Sequence, residues 1–467
     1  MEMGFSGDVR RAAETIRAFD EATIISHIDA DGISSEAILA QALAREGITA
    51  RSVFVRQLEP MAMRHVPTDS TLKIFVDLGA GQQNLLEEHG LDAGEVLIVD
   101  HHVSQPCDMP YPQVNCLDYG HQKLSAAGIA YLIAKEMDRS NIDLAKLAVV
   151  GNVGDMMARE TRGLTGLARE IAMEGVAYGN IIVRERDLNC YGTSTRPVQV
   201  CLAYSDDPYI PGISNSTAGA LRFLQKLDVA LRADGGRWYV WEELPMEEKR
   251  TIISALVQQL VAHGKETDRL FAETYLFPDE MERTPLRNAS EYATLLNACG
   301  RWAKPRIGSS VCRGDRGTSY QEAEYMLRHH RTIIRELLQY ILETGVTELS
   351  HLQYICTGDR FPDTIIGIGA GMALSKLNWQ KPIMILGDVT DDPEIAKVSM
   401  RTNEWALRRG IDLQQALMVA AEEVGGAGGG HRIAAGAYIP KTVMEEFADR
   451  VNSVLEQQLA ETCQDDC

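Results

Sequence analysis

The hydrophobic pattern changes rhythm twice along the chain. In the first third, short apolar runs alternate with amphipathic stretches. Thr23-Ile24-Ile25-Ser26, residues 51–55, residues 72–78 and Val96-Leu97-Ile98-Val99 predict strands, and residues 8–20, 37–45, 82–89, 125–137 and 144–150 predict helices. Strands that alternate with helices predict a parallel sheet covered on both faces. From about residue 160 helical periodicity dominates, over 164–177, 217–232, 246–263, 289–299 and 319–343, broken by turns at Thr195-Arg196-Pro197 and Asp207-Pro208-Tyr209-Ile210-Pro211-Gly212. Strand-like runs return after His351, at 354–356, 365–374, 383–386 and 396–400. They lead into the glycine run 425–430, then His431, and an amphipathic helix over about 441–460. The fold class expected is α/β: a parallel-sheet domain over 1–189, a mostly helical insertion over 190–345 and a smaller α/β domain over 346–467.

The predicted strands of the first domain end in polar residues able to bind metal. The first runs into His27-Ile28-Asp29-Ala30-Asp31-Gly32, the third into Asp77, and the fourth into Asp100-His101-His102, while Asp155 follows the apolar run 147–153 and Gly154. Ligand sites in open α/β sheets lie outside the carboxyl ends of the strands, so these four segments are expected to converge. Alternate residues of an extended chain face the same way, which would let His27, Asp29 and Asp31 point inward together. Imidazole and carboxylate without cysteine suit Mn²⁺ or Mg²⁺ rather than zinc, and the histidines favour Mn²⁺. Each segment alone also fits a plainer role, an Asx-capped turn around Asp29 or a turn cap at Asp77 and Asp155. Asp100 is placed to orient a neighbouring imidazole.

Composition narrows the choices. The net charge of −20, from 66 acids against 46 lysines and arginines, argues against non-specific coating of nucleic acid. Residues 283–335 are a basic exception: they either face phosphate or pair with the acidic remainder. Tyr292, Trp302, Tyr320 and Tyr325 lie among these bases and could stack on a single strand, although some are expected in the core. Nine scattered cysteines without a CxxC pair predict reduced thiols. No apolar stretch approaches the roughly 20 residues of a membrane span, and the start of the chain lacks a signal-peptide pattern. No membrane association is expected, and a cytoplasmic location is.

Taken in order, His27-x-Asp29-x-Asp31-Gly32, Asp77, Asp100-His101-His102 and Gly154-Asp155 resemble the four motifs of the DHH phosphoesterase superfamily. That superfamily includes RecJ-type exonucleases, manganese inorganic pyrophosphatases and small-nucleotide phosphodiesterases. The run Gly428-Gly429-Gly430-His431 is similar to the mark of its DHH-associated C-terminal domain, and residues 287–301 are similar to archaeal RecJ-like proteins. The resemblance implies a single-strand-specific exonuclease acting on DNA or RNA, with a nucleic-acid strand and, in some members, the replisome GINS complex as partners. It also implies two Mn²⁺ ions, with Mg²⁺ the alternative: His27 and Asp29 on one, Asp31, His101 and Asp155 on the other, and Asp77 bridging. His102, oriented by Asp100, would act at the phosphate or leaving group. Arg401, Gly428, Gly429, Gly430, His431 and Arg432 would grip substrate from the C-terminal domain, helped by a helix N-terminus if 431–437 is helical. A phosphodiesterase of nano-RNA or cyclic dinucleotides and a non-catalytic replisome scaffold are the rival readings.

Overall fold

The computed structural model describes residues 4–465 except 61, 107–109, 122, 206–207, 375 and 390–391. Cys107, Asp207 and Cys467 of the sequence reading therefore lie outside the described residues. Contacts divide the chain into two compact units, residues 1–300 with 304–324, and residues 301–303 with 325–467.

The first unit begins with α1 (Phe5–Arg17), β1 (Glu21–His27), α2 (Ala30–Arg45), β2 (Thr49–Val55), β3 (Leu72–Val76), α3 (Gln83–Glu88), β4 (Val96–Asp100) and β5 (Gln113–Asn115). The five strands form one parallel sheet in the order β2-β1-β3-β4-β5. Every residue of β3 and β4 is buried, as expected in a sheet covered on both faces, with the buried Lys73 of β3 paired to Glu95 at 2.9 Å. The chain passes from β1 outward to β2 and then back across to β3. The carboxyl ends of β1 and β3 therefore flank a topological switch point, where open α/β sheets form their crevices.

Helices α4 (Ala126–Met137) and α5 (Ala145–Gly154) pack on α2 and on each other. They are followed by α6 (Gly166–Tyr178), β6 (Ile182–Leu188), α7 (Val198–Ala203), α8 (Thr217–Gln225), α9 (Met246–Ala262), β7 (Phe271–Leu276), α10 (Ala289–Arg301) and α11 (Pro305–Cys312). A separate apolar core gathers Leu202, Leu224, Trp241, Leu256 and Leu260. The strands β6 and β7 pair antiparallel, and the sequence pattern missed them: Ile182-Val183-Arg184-Glu185-Arg186-Asp187-Leu188 is mostly polar and largely solvent-facing.

The second unit takes most of α12 (Thr318–Thr344), then β8 (Thr347–Glu348), β9 (Gln353–Cys356), α13 (Ile366–Leu374), β10 (Ile383–Val389), β11 (Asp392–Arg401), α14 (Glu404–Leu407), α15 (Leu413–Glu423), β12 (Ala427–His431), β13 (Ala434–Pro440) and α16 (Met444–Asp465). Its mixed sheet runs β12-β13-β11-β10-β9-β8. Two expectations are corrected here. Residues 365–374 are helical rather than extended, because Ile366, Gly369, Ala370, Ala373 and Leu374 are buried at helical spacing. Residues 431–437 are the turn and second strand of a β-hairpin, so no helix N-terminus follows His431. The six cysteines whose side chains are described are free, as expected.

The segment 287–301 anchors the first unit. Glu291 is buried in the first turn of α10, where it accepts hydrogen bonds from Ser194 N at 2.8 Å and from the Thr195 hydroxyl. Burial pushes its carboxyl up from 4.5 to about 7, although both hydrogen bonds favour the charged form. The native protein then binds more protons than the unfolded chain between these values, so stability falls as pH rises through that window. Glu291→Gln is expected to remove up to about 3 kcal/mol of this pH dependence, read as a flatter plot of urea midpoint against pH from 4.5 to 7.

Candidate metal centre

Four segments meet at the carboxyl end of the parallel sheet. His27 ends β1, and its Nδ1 lies 3.1 Å from Asp29 Oδ2 and 3.2 Å from Asp77 Oδ2. The other Asp77 oxygen, Oδ1, lies 3.2 Å from His101 Nε2. His101 Nε2 is also 3.5 Å from Asp155 Oδ2 and 3.7 Å from Asp31 Oδ2. Potential ligand atoms thus gather as His27, Asp29 and Asp77 on one side and as Asp31, His101 and Asp155 on the other, each set within 4.8 Å.

The local backbone explains how these side chains reach one another. Residues 29–31 are not an extended strand, contrary to the alternation argument. Asp29 is the N-cap of α2 and accepts from Gly32 N at 3.0 Å, which turns the chain into the helix at Ala30. Asp29 therefore reaches the cluster from the cap and Asp31 from the first turn. Asp31 is fully buried, and its carboxylate accepts from Ala126 N at 2.8 Å and Ala127 N at 3.0 Å, the donors at the start of α4. Asp77 follows β3 with φ of 61°, an unusual left-handed conformation that turns it toward both histidines. Asp155 caps α5.

Asp100 is buried at the end of β4 and accepts from Ala80 N, His101 N and His102 Nδ1, the last at 2.8 Å. The ring it orients is His102, whose side chain is 59% exposed against 9% for His101. The bond to Asp100 raises the pKa of His102, which keeps it charged nearer neutrality.

Burial and close charges shift most of these groups. Burial and then the charge of Asp77 raise Asp31 well above the ordinary carboxylate range. Burial likewise lifts Asp155 to about 6 against the attraction of His101. His27 is pushed up to about 11 and His101 to about 10: burial opposes the charge, but hydrogen bonds and nearby carboxylates overcome it. Four carboxylates and two imidazoles, with no thiolate among them, form a donor set suited to Mn²⁺ or Mg²⁺.

The sequence reading missed the support for the metal-binding loop. Asn297 of α10 accepts from Ala30 N at 2.9 Å, and α10 approaches so closely that a Cβ at Gly300 would lie 1.9 Å from Ile28 O. Asn297 and Gly300 both belong to the 287–301 segment. Gly300→Ala is expected to push α10 off the loop and cost about 1–3 kcal/mol, with a parallel loss of metal affinity. Asn297→Ala leaves Ala30 N unsatisfied and is expected to cost about 1–2 kcal/mol. Thermal melts and Mn²⁺ titrations of both variants check this.

In the second unit, Arg401 ends β11 and His431 ends β12, and both are register partners of Ala434 on opposite sides of β13. Arg401 donates to Met400 O and has no carboxylate partner among the described residues. Arg432 pairs with Asp412 at 3.0 Å. The glycine run is an edge strand and not a loose hinge. A Cβ at Gly428 would strike Leu417 O at 2.4 Å, while one at Gly429 would meet nothing. Much of the basic segment is paired internally: Arg283 with Glu243, Arg287 with Glu242, Lys304 with Glu322 and Arg316 with Glu280. Tyr292 is core, whereas Tyr325 is exposed and stacks on His329.

Fold and cluster together define an α/β protein with a metal-competent centre. Family models place it further. Residues 21–152 match the DHH family N-terminal domain, 190–271 the DHH-CID domain and 351–457 the DHHA1 domain. The chain belongs to the DHH superfamily, with a RecJ-like fold, and is a phosphoesterase hydrolase. It is 28% identical over 452 residues to an uncharacterized protein of Methanocaldococcus jannaschii, covering 93% of each chain. The crystal structure of exonuclease RecJ bound to manganese is similar in fold, with a TM-score of 0.56 and 17% identity, covering 97% of this chain and 94% of that one. The structure of Cdc45 from Entamoeba histolytica matches with a TM-score of 0.60 and 12% identity, covering 97% and 99%. Among the described residues no helix is long and apolar enough to cross a membrane.

Proposed function

We propose that the chain is a Mn²⁺-dependent single-strand-specific exonuclease that hydrolyses phosphodiester bonds of DNA, RNA or both. The observation that carries this reading is Asp77, whose two oxygens each lie 3.2 Å from a histidine of a different ligand group. Such a carboxylate fits a bridge between two cations held by His27 with Asp29 and by Asp31 with His101 and Asp155. Two divalent ions at such a centre supply Lewis-acid polarisation of the phosphate and an acidified water. His102, exposed and held by Asp100, is placed to donate a proton to the leaving oxygen or to contact the phosphate. Arg401, the strand Gly428-Gly429-Gly430, His431 and Arg432 would bind substrate phosphates, the bare Gly429 backbone allowing close approach. The two imidazoles of the donor set favour Mn²⁺ over Mg²⁺.

Single strands of DNA and RNA, labelled separately at each end, test this reading with Mn²⁺ and with Mg²⁺. Stepwise release of nucleotides or short oligomers from one end is expected. Cleavage confined to dinucleotides or trinucleotides would replace the reading by a small-nucleotide phosphodiesterase. The fold match to Cdc45 favours one further role, binding of a GINS-type replisome partner. The filled metal motifs argue against that as the sole role, and hydrolysis of no substrate at all would reverse the preference.

A further inference from the structure

A cavity of about 450 Å³ opens beside β2, the edge strand of the parallel sheet, well away from the metal centre. Arg51, His65, Arg306 and Arg313 line it, and Thr23 of β1 contributes to its wall. Thr23 precedes His27 by four residues on β1, about 13 Å at the rise of a strand, so this cavity is distinct from the cluster.

Two features mark it as a place for an anion. It gathers three guanidinium groups in a chain of net charge −20. Arg51 pairs with Asp69 at 3.0 Å and Arg313 lies 3.6 Å from Glu36, but Arg306, which donates to Ser52 O at 2.6 Å, has no carboxylate partner among the described residues. Guanidinium groups suit phosphate oxygens, and the volume falls within the range of small-molecule sites.

We propose that this cavity binds a small phosphate monoester of about mononucleotide size. The inference stands apart from the reading of the metal centre. Its test is calorimetric titration of the full chain carrying Asp77→Asn, in chelator, with AMP, inorganic phosphate and adenosine. AMP is expected to bind most tightly, phosphate more weakly and adenosine not at all. Adding Arg306→Ala should weaken AMP about tenfold. Adding Arg51→Ala, which removes a second guanidinium from the cavity wall, should weaken AMP severalfold. Adenosine binding as tightly as AMP, AMP affinity unmoved by both substitutions, or no anion binding at millimolar concentration would overturn the proposal. Equal affinities for phosphate and AMP would overturn the size assignment.

Discussion

Asp77→Asn is expected to lower phosphodiester hydrolysis by about 10³-fold or more, the several kcal/mol that a catalytic metal site supplies, with the fold intact. Asn keeps the shape of Asp77 and tolerates its φ of 61°. Alanine there would add about 1–2 kcal/mol of backbone strain, which makes Asn the cleaner probe. The substitution removes the negative charge that lies between His27 and His101. His101→Ala should be equally inactive, because its ring is shared by Asp31, Asp77 and Asp155. Single-turnover hydrolysis, with melting curves run alongside, is the measurement. A folded Asp77→Asn protein within tenfold of wild type would remove Asp77 from the centre.

Mn²⁺ is expected to stabilise the protein strongly above pH 7 and hardly at pH 5. Asp155 moves from 3.8 to about 6 on folding, because burial penalises its charge. Without a cation the native state binds the extra proton between these values, so stability falls as pH rises through that window. Above it the carboxylate is charged and open to a cation, which must still displace the protons of His27 and His101; below it, protons compete for the carboxylate oxygens as well. At a hundredfold excess over Kd a cation adds about 2.7 kcal/mol per site, or about 3 °C in melting temperature for a chain of 467 residues. Scanning calorimetry at pH 8 and pH 5, with Mn²⁺ and with chelator, reads the difference. Equal shifts at the two pH values would show that these carboxylates do not hold the ion.

The gathering of these side chains was largely legible in the sequence, because each of their segments follows a buried apolar element that ends in a polar residue. Val96-Leu97-Ile98-Val99 can only be an interior strand, so Asp100 and His101 fall at its carboxyl end. Periodicity did not reveal the local turn at Asp29, since a capping bond to Gly32 N starts the helix several residues before its apolar face becomes obvious. Nor could it reveal Asn297 and Gly300, which meet the loop at Ala30 and Ile28 across more than 260 positions. The hairpin at 427–440 was hidden for a different reason. Glycine and alanine carry little strand signal, and only close packing of Gly428 on the backbone of α15 makes that composition necessary.

The most direct test of a two-cation centre is the stoichiometry of Mn²⁺ bound at pH 8, measured by electron paramagnetic resonance on wild type and on Asp77→Asn. Two tight equivalents per chain in the wild type, with at least one lost in Asp77→Asn, is the predicted result. A single equivalent in the wild type, or two that survive the substitution unchanged, would contradict it.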